Sequence, residues 1–167
     1  MKEAALVIIK PDGISKNLIG NVMTKFADTG LEIVATRVVR TTRKLAENHY
    51  EHLKDRPFFK DTVDYFIGTF HKRKNLVAIV YFGNNAVKKC RKVAGATNPE
   101  EADPASIRGS YGRITTKGIY ENVVHVSSDK AEAEREIKLW FRPAGIAVSL
   151  YPSNVKTIEA HKEKVWA

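Results

Sequence analysis

His125 lies where a histidine could perform covalent chemistry. It falls in the segment Asn122-Val-Val-His-Val-Ser-Ser-Asp129, at the predicted end of a strand and just before a predicted helix. A phosphate held beside it would meet the free N–H groups and the positive dipole end of that helix. Glu136 lies two helical turns further on, so its carboxylate can reach back and orient the imidazole. A neutral imidazole oriented in this way is a competent nucleophile, and a purely structural histidine is the alternative.

Basic side chains could bind an anion near this histidine. Lys10 ends a predicted strand directly before the turn sequence Pro-Asp-Gly, and from there it can reach a phosphate across the strand edge. Arg91 and Arg108 lie where the fold could converge on the same anion, and planar guanidinium groups suit phosphate oxygens. A solvated surface charge is the alternative for each arginine. Since Arg108 falls in a predicted loop, its removal is expected to leave folding nearly unchanged.

Other common catalytic and metal-binding patterns are missing from the sequence. No G-x-x-x-x-G-K-[ST] loop is present, so phosphate contacts would come from side chains. His49 and His52 lie three residues apart on a predicted helix, but no third ligand is evident. Both are expected to be ordinary surface histidines whose removal leaves the activity intact. Cys90 is the only cysteine, which excludes an internal disulfide and agrees with a reducing compartment.

The elements that must position these residues are short and alternate between strand and helix. A chain of 167 residues predicts one domain. Apolar, β-rich segments predict four strands, at residues 4–9, 31–40, 76–82 and 123–126. Apolar residues at helical spacing predict helices that include residues 18–26, 45–53, 63–67, 87–94 and 133–140. Thr41 or Thr42 is the predicted cap of the second helix, and Asp129 of the last.

The order of these elements predicts the fold class. A β-α-β-β-α-β order is typical of the α+β class with a ferredoxin-like four-stranded antiparallel sheet and helices packed on one of its faces. Residues 95–121 lack a clean period, which predicts either a long loop with a functional role or an error in the assignment of elements there. The polar tail from Ser153 is predicted to be helical.

Charge and hydropathy restrict the possible partners and location. The formal net charge is +9, which favours anionic partners such as nucleotides or nucleic acid. The longest apolar run, residues 76–82, is far too short to span a bilayer. The N-terminus lacks the pattern of a signal peptide, so a cytoplasmic location is expected.

Seven sequence blocks, taken together, resemble the nucleoside diphosphate kinase family. They occur in the family's order, cover about residues 4–143 and agree in residue type as well as spacing. The blocks are Lys10-Pro-Asp-Gly13, His49-Tyr50, Arg56-Pro-Phe-Phe59, Arg91 with Gly95-Ala-Thr-Asn-Pro99, Ile107-Arg-Gly109, Asn122-x-x-His125-x-Ser127 and Glu136-Ile-x-Leu-Trp-Phe141.

The resemblance implies a ping-pong transfer of a terminal phosphate from ATP or another nucleoside triphosphate to a nucleoside diphosphate. His125 matches the nucleophile, Glu136 the carboxylate that orients it, and Ser127 and Tyr50 nearby hydroxyl groups. The family's phosphate and nucleoside contacts match a further set of residues: Lys10, Phe58, Arg91, Thr97, Arg108 and Asn122. Lys10 and Asn122 lie on the ribose side, and Phe58 stacks on the base. Magnesium is carried on the nucleotide phosphates, so no metal ligands are expected from the protein.

The resemblance also implies how the chain is organised and assembled. Residues 1–167 are expected to form a single domain of this family with a divergent C-terminal tail, residues 143–167. A homo-hexamer or tetramer is implied, and neither a membrane nor nucleic acid is an expected partner. The sequence departs from the family pattern at Val126, where a small residue usually follows the nucleophile, and at Thr62, where an apolar base contact is common.

Two alternatives from other classes are open at this point. Ferredoxin-like sheets also form RNA-recognition modules, and Arg108-Gly-Ser-Tyr-Gly112 partly matches their aromatic motif, although the following aromatic residues are missing. A catalytically inactive family member could act as a scaffold. The presence of His125, Lys10 and both arginines argues against that, since a scaffold does not need them.

Overall fold

A four-stranded antiparallel sheet forms the centre of the molecule. The computed structural model describes residues 2–157. The strands of the sheet are β1 (Lys2–Ile9), β2 (Glu32–Arg40), β3 (Asn75–Asn84) and β6 (Val124–Val126), in the spatial order β2-β3-β1-β6. Every neighbouring pair is antiparallel. The predicted α+β, ferredoxin-like fold is confirmed.

Seven α-helices surround the sheet in the described part of the chain. They are α1 (Pro11–Ser15), α2 (Ile19–Ala27), α3 (Arg43–His49), α4 (Phe59–Phe66), α5 (Ala86–Ala94), α6 (Ile107–Tyr111) and α7 (Lys130–Trp140). Two short 3-10 helices, Glu51–Leu53 and Pro143–Gly145, follow α3 and α7. No helix within residues 2–157 has the length and apolar composition needed to span a bilayer.

The sheet is covered on both faces, not on one as predicted. Alternate residues of β1 point to opposite sides because side chains alternate along a strand. Ala5, Val7 and Ile9 join one buried cluster together with apolar residues of α2 and α5. Leu6 and Ile8 join a second cluster with residues of α3 and α4 and the C-terminal half of α7. A sheet buried on both faces has little polar surface, so polar groups concentrate at its ends.

The predicted long loop, residues 95–121, contains regular structure. It includes α6 and a two-stranded hairpin formed by β4 (Arg113–Ile114) and β5 (Tyr120–Glu121). The elements are too short to produce a periodic hydrophobic pattern, which is why the sequence did not reveal them. Because Arg108–Gly112 lies in and just after a helix, it cannot act as the β-strand aromatic motif of an RNA-recognition module.

Two further predictions need correction, one about the Pro-Asp-Gly sequence after β1 and one about the polar tail. The Pro-Asp-Gly sequence begins the short helix α1 rather than a plain turn, because proline is well tolerated in the first helical turn. The polar tail is irregular at residues 153–157, and the rest of its predicted helix lies outside the described residues.

Side-chain caps set the start of two helices that contribute to the site, α3 and α7. The Thr42 hydroxyl accepts a hydrogen bond from Leu45 N at 3.2 Å at the start of α3. The Asp129 carboxylate accepts one from Glu132 N at 2.9 Å at the start of α7. Of the two predicted candidates for the α3 cap, Thr42 is the one used. These caps satisfy N–H groups that have no partner within the helix.

Replacing the cap of α3 is expected to destabilise the protein. Thr42→Ala removes the acceptor for Leu45 N, which should lower the free energy of unfolding by about 1 kcal/mol. Thr62→Ala is the matched control, because Thr62 bonds to the carbonyl of Phe58 on its own helix and caps nothing. Its effect should stay within about 0.5 kcal/mol. Urea unfolding of both variants checks this, and equal effects would contradict the assignment of the cap.

Candidate active site

His125 lies in the middle of the short edge strand β6. This strand pairs with the end of β1, and Ile8 is the partner of His125 in the register. The side chain of His125 is 15% exposed, so the ring borders solvent while most of it is buried. The strand ends at Val126, and α7 begins at Lys130, so only three residues separate the two elements.

Glu136 is directed from α7 at this histidine. Its Oε1 lies 2.8 Å from Nε2 of His125. Its Oε2 accepts a hydrogen bond of 2.5 Å from the Ser127 hydroxyl, whose oxygen accepts in turn from Leu6 N. Both Glu136 and Ser127 are buried, and burial raises the pKa of Glu136. The structure thus brings together three residues that the sequence predicted as a catalytic group.

Two buried cations lie close enough to the histidine to affect its charge. Lys10 and Arg108 are both more than nine-tenths buried. Burial lowers the pKa of Lys10 to about 8, against the opposing effect of Asp12, and lowers that of Arg108 to about 10. Burial also lowers the pKa of His125 well below 6.5, and the charges of Arg108 and Lys10 act in the same direction. His125 is therefore neutral near pH 7, as a nucleophile requires.

Arg108 has a structural role that the sequence did not reveal. Its two terminal nitrogens donate to the carbonyls of Gly95 at 2.8 Å and Val124 at 3.0 Å, while Nε is buried without a partner among residues 2–157. These bonds connect the chain after α5 to the strand that carries the histidine. We therefore expect that removal of Arg108 destabilises the fold, in contrast to the expectation from the sequence, because two buried carbonyls would lose their donors.

The backbone just before His125 is held in an unusual conformation. Val123 has a φ of 67°, which is rare for a β-branched residue. The Asp12 carboxylate accepts from Val123 N at 2.8 Å, and Lys10 N donates to Val123 O at 2.8 Å. Asn122 donates from its side-chain nitrogen to Thr97 O at 2.7 Å, which leaves its buried Oδ1 without a partner in the described chain. Strain of this kind persists only where several bonds fix it.

The remaining predicted site residues lie toward the surface. Phe58 is 50% exposed at the start of α4, Arg91 is exposed on α5, and Thr97 is exposed in the segment after α5. Tyr50 is half-buried, with its ring centroid 6.3 Å from that of His125. Val126, the departure next to the nucleophile, packs in the core on the other side of the strand. Phe58, Arg91 and Thr97 are therefore accessible from solvent.

His49 is the main residue of the site that sequence reasoning assigned wrongly. It has no exposed surface, and its ring centroid lies 4.3 Å from that of His125. Its spacing from Leu45 and Leu53, on one face of the predicted helix, was the signal that it points into the core. His52, by contrast, is exposed as expected.

One group of donor atoms in the site could in principle hold a metal ion. Atoms of His49, His125 and Glu136 lie within 4.8 Å of one another, the only such group found among the described residues. Mg²⁺ prefers six oxygen ligands, and this group offers one carboxylate and two nitrogen atoms. The Trp140 N–H already occupies Nδ1 of His49 at 3.2 Å. The group therefore does not fit a magnesium ion.

Comparisons with known proteins agree with the geometry. The family model described as nucleoside diphosphate kinase matches residues 3–146. A nucleoside diphosphate kinase from Pyrococcus furiosus is 44% identical over 144 residues, which is 86% of this chain and 86% of that protein. One from Methanocaldococcus jannaschii is 37% identical over 142 residues, covering 85% of this chain and 95% of that protein.

Solved structures give the same result. The Aquifex aeolicus nucleoside diphosphate kinase matches with a TM-score of 0.78 and 33% identity, over 87% of this chain and 99% of that one. The Halobacterium salinarum enzyme, solved in complex with CDP, matches with a TM-score of 0.78 and 32% identity, over 87% and 91% of the two chains. Matching motifs, fold and sequence over most of the chain lead to one conclusion: this protein belongs to the nucleoside diphosphate kinase family.

Proposed function

We propose that the chain moves a terminal phosphate between nucleotides through a phosphohistidine at His125. Nδ1 of His125 attacks the γ-phosphorus of a nucleoside triphosphate, the bond to the β–γ bridging oxygen breaks, and the nucleoside diphosphate leaves. A second nucleoside diphosphate then takes the phosphoryl group from the histidine by the reverse steps. The observation that carries this proposal is the buried Glu136 carboxylate, 2.8 Å from Nε2 of His125.

Glu136 and Ser127 decide which ring nitrogen attacks. A carboxylate beside Nε2 favours the tautomer that has its proton there, which leaves the lone pair on Nδ1. As the phosphoryl group bonds to Nδ1, positive charge develops on the ring, and the nearby carboxylate stabilises it. The Ser127 hydroxyl binds the other carboxylate oxygen, so Glu136 cannot rotate away without losing a hydrogen bond.

The cations around His125 are suited to the negative charge of the transferring phosphate. Phosphoryl transfer depends mainly on positioning and charge stabilisation. Lys10 and Arg108 are buried positive charges whose pKa values burial has lowered, and a bound phosphate would offset that cost. Arg91, Thr97 and Tyr50 would contact the phosphate chain from the open side. These five side chains bind an anion at the point where His125 meets solvent.

The nucleoside would lie along the exposed edge of the site. Phe58 offers a half-exposed ring on which any base can stack, since every base has a π-face. The unpartnered Oδ1 of Asn122 and the ammonium of Lys10 are suited to ribose hydroxyl groups. Thr62 stands where the family commonly has an apolar residue next to the base. Its hydroxyl donates to the Phe58 carbonyl, so the base would not meet an unpaired hydroxyl there. A broad base specificity follows from stacking without base-edge contacts.

Magnesium would enter with the nucleotide. The cluster around Glu136 does not fit the ion, and the phosphate oxygens of the nucleotide are ligands of the type that Mg²⁺ prefers. When bound there, the ion neutralises charge on the phosphates and so complements the protein's own cations.

The edge of the sheet supports an oligomer of this chain. β2 is an edge strand, and it exposes Ile33 to 44% and Val38 to 66%. An exposed edge with apolar side chains needs cover. We propose a homo-hexamer or tetramer in the cytoplasm, with residues 1–167 as one domain.

Removing His125 should abolish covalent labelling. His125→Ala is expected to take no acid-labile label from γ-labelled ATP and to exchange no phosphate between ATP and a diphosphate, because the nucleophile is lost. His52→Ala removes an exposed histidine from the 3-10 helix that follows α3, and this variant should label like the wild type. Labelling of wild-type protein should persist well below pH 6.5, since its neutral form dominates there. Label on His125→Ala would show that another group is the nucleophile, and no label on wild type would favour an inactive scaffold.

Arg91 tests phosphate binding without disturbing the core. A charged hydrogen bond is worth about 1.5–3 kcal/mol, so Arg91→Ala should lower kcat/KM about ten- to a hundredfold. Lys92→Ala is the control, since it removes an exposed charge from the neighbouring position on α5. Steady-state rates and thermal unfolding should show lost activity in the first variant and unchanged stability in both. Equal kinetic effects would indicate a general loss of positive charge.

Nucleotide affinity should fall as the pH rises through the pKa of Lys10. In the free protein Lys10 loses its charge above about pH 8, and binding of a phosphate then requires a proton. Between pH 7.5 and 9.5 the Kd for ADP should rise about tenfold, by calorimetry. Lys10→Gln should bind weakly at every pH and show little change. A wild-type affinity that stays constant to pH 9.5 would contradict the proposed contact.

A further inference from the structure

His49 is a second buried imidazole in the site, and the proposed reaction does not use it. It is the last residue of α3, and its ring meets that of His125 edge-on, at an interplanar angle of 79°. The two centroids are 4.3 Å apart. A buried ring in contact with the nucleophile restricts how the nucleophile can turn.

Trp140 fixes the tautomer of His49. An indole N–H can only donate, and Nε1 of Trp140 donates to Nδ1 of His49 at 3.2 Å. Nδ1 must therefore hold a lone pair, and the proton of the neutral ring lies on Nε2. Burial lowers the pKa of His49 well below 6.5, and the neighbouring His125 adds to this effect. His49 is consequently a neutral ring with one defined tautomer.

The ring and the backbone of His49 are both held by neighbouring helices. The ring stacks on Phe66 of α4, with planes 7° apart and centroids 5.2 Å apart. From α7, Arg135 donates to the carbonyls of Asn48 and His49, each at 3.0 Å. Little freedom remains for the side chain to rotate. His49 therefore provides a rigid surface against which His125 rests.

We propose that His49 is a positioning residue for phosphoryl transfer, acting through the orientation of His125. Its ring keeps the imidazole of His125 in the plane that places Nε2 at Glu136. Its Nδ1 lies 4.0 Å from Oε1 of Glu136 but carries no proton, so it cannot draw the carboxylate away from His125. This inference rests on the proposed role of His125 as nucleophile.

Trp140 determines whether His49 competes for Glu136. The charged or titratable groups that affect His49 are His125, Glu136, Arg135 and His52. Glu136 alone favours the protonated form, and the other three oppose it. Without the indole N–H, Nδ1 could take a proton and donate it to Glu136. The protonated His49 would then replace His125 as the partner of the carboxylate.

Two variants and a control test the proposal. His49→Ala removes the ring that rests against His125, and Trp140→Phe keeps the packing but removes the N–H. His52→Ala controls for loss of a nearby histidine. The readouts are the tautomers of His125 and His49, by long-range ¹H–¹⁵N NMR of ¹⁵N-histidine-labelled protein, and the rate of phosphorylation by ATP from pH 5 to 8.

We expect distinct outcomes for the two variants. His49→Ala should leave His125 without a single tautomer and slow its phosphorylation about tenfold, with KM for ATP unchanged, since misorientation affects the chemical step. Trp140→Phe should move the acid limit of phosphorylation to higher pH, because His49 can then be protonated. His52→Ala should match the wild type in both readouts. Thermal unfolding of each variant shows whether the fold is intact.

Two results would overturn the proposal. One is a wild-type rate and pH profile in both His49→Ala and Trp140→Phe. The other is a slow His49→Ala enzyme in which His125 keeps its wild-type tautomer, because the loss would then not arise from orientation. A failure of the proposed nucleophile would be recognised separately, by label that persists in His125→Ala. The earlier expectation that His49 is dispensable makes the opposite prediction for the rate.

Discussion

A buried carboxylate beside a buried imidazole is the constraint on which the rest of this site depends. Isolated, either group would be costly to bury, and together they define one protonation state. Glu136 comes from α7 and His125 from β6, so the distance between them depends on how these two elements meet. The Asp129 cap sets where α7 begins, and the Ser127 bonds to Leu6 and Glu136 connect the same region to β1. The distance between His125 and Glu136 therefore depends on how α7 packs against the edge of the sheet.

The cations near His125 are the groups that the proposed function assigns to an anion. Lys10 and Arg108 are both buried, and burial disfavours the charged form of each, which lowers both pKa values. Arg108 offsets part of this cost through two backbone carbonyls, and Lys10 lies over the Tyr65 ring at 4.7 Å. Asp12 and Glu121 favour the charged form of Lys10 and offset a further part of the cost. In the proposed function, a bound phosphate would offset the remainder.

Much of this arrangement could be predicted from the sequence, because it depends on local patterns. Strand alternation, the caps at Thr42 and Asp129 and the spacing of His125 and Glu136 are all readable over a few residues. What could not be predicted depends on contacts between distant segments. The bonds of Arg108 join residues 95 and 124, and the burial of His49 depends on Trp140 of α7. The elements within residues 95–121 are too short to show a periodic hydrophobic pattern. Whether helices cover one face of the sheet or both depends on where each helix packs, which a local pattern does not show.

The isomer of phosphohistidine formed by the wild-type protein shows which ring nitrogen of His125 attacks. After reaction with ATP, alkaline hydrolysis releases free phosphohistidine, and chromatography against standards separates the form phosphorylated at Nδ1 from the one phosphorylated at Nε2. Because Glu136 lies 2.8 Å from Nε2 of His125, we expect the Nδ1 isomer alone. Recovery of the Nε2 isomer would show that the nitrogen beside the carboxylate attacks, and the proposed role of Glu136 would then be wrong.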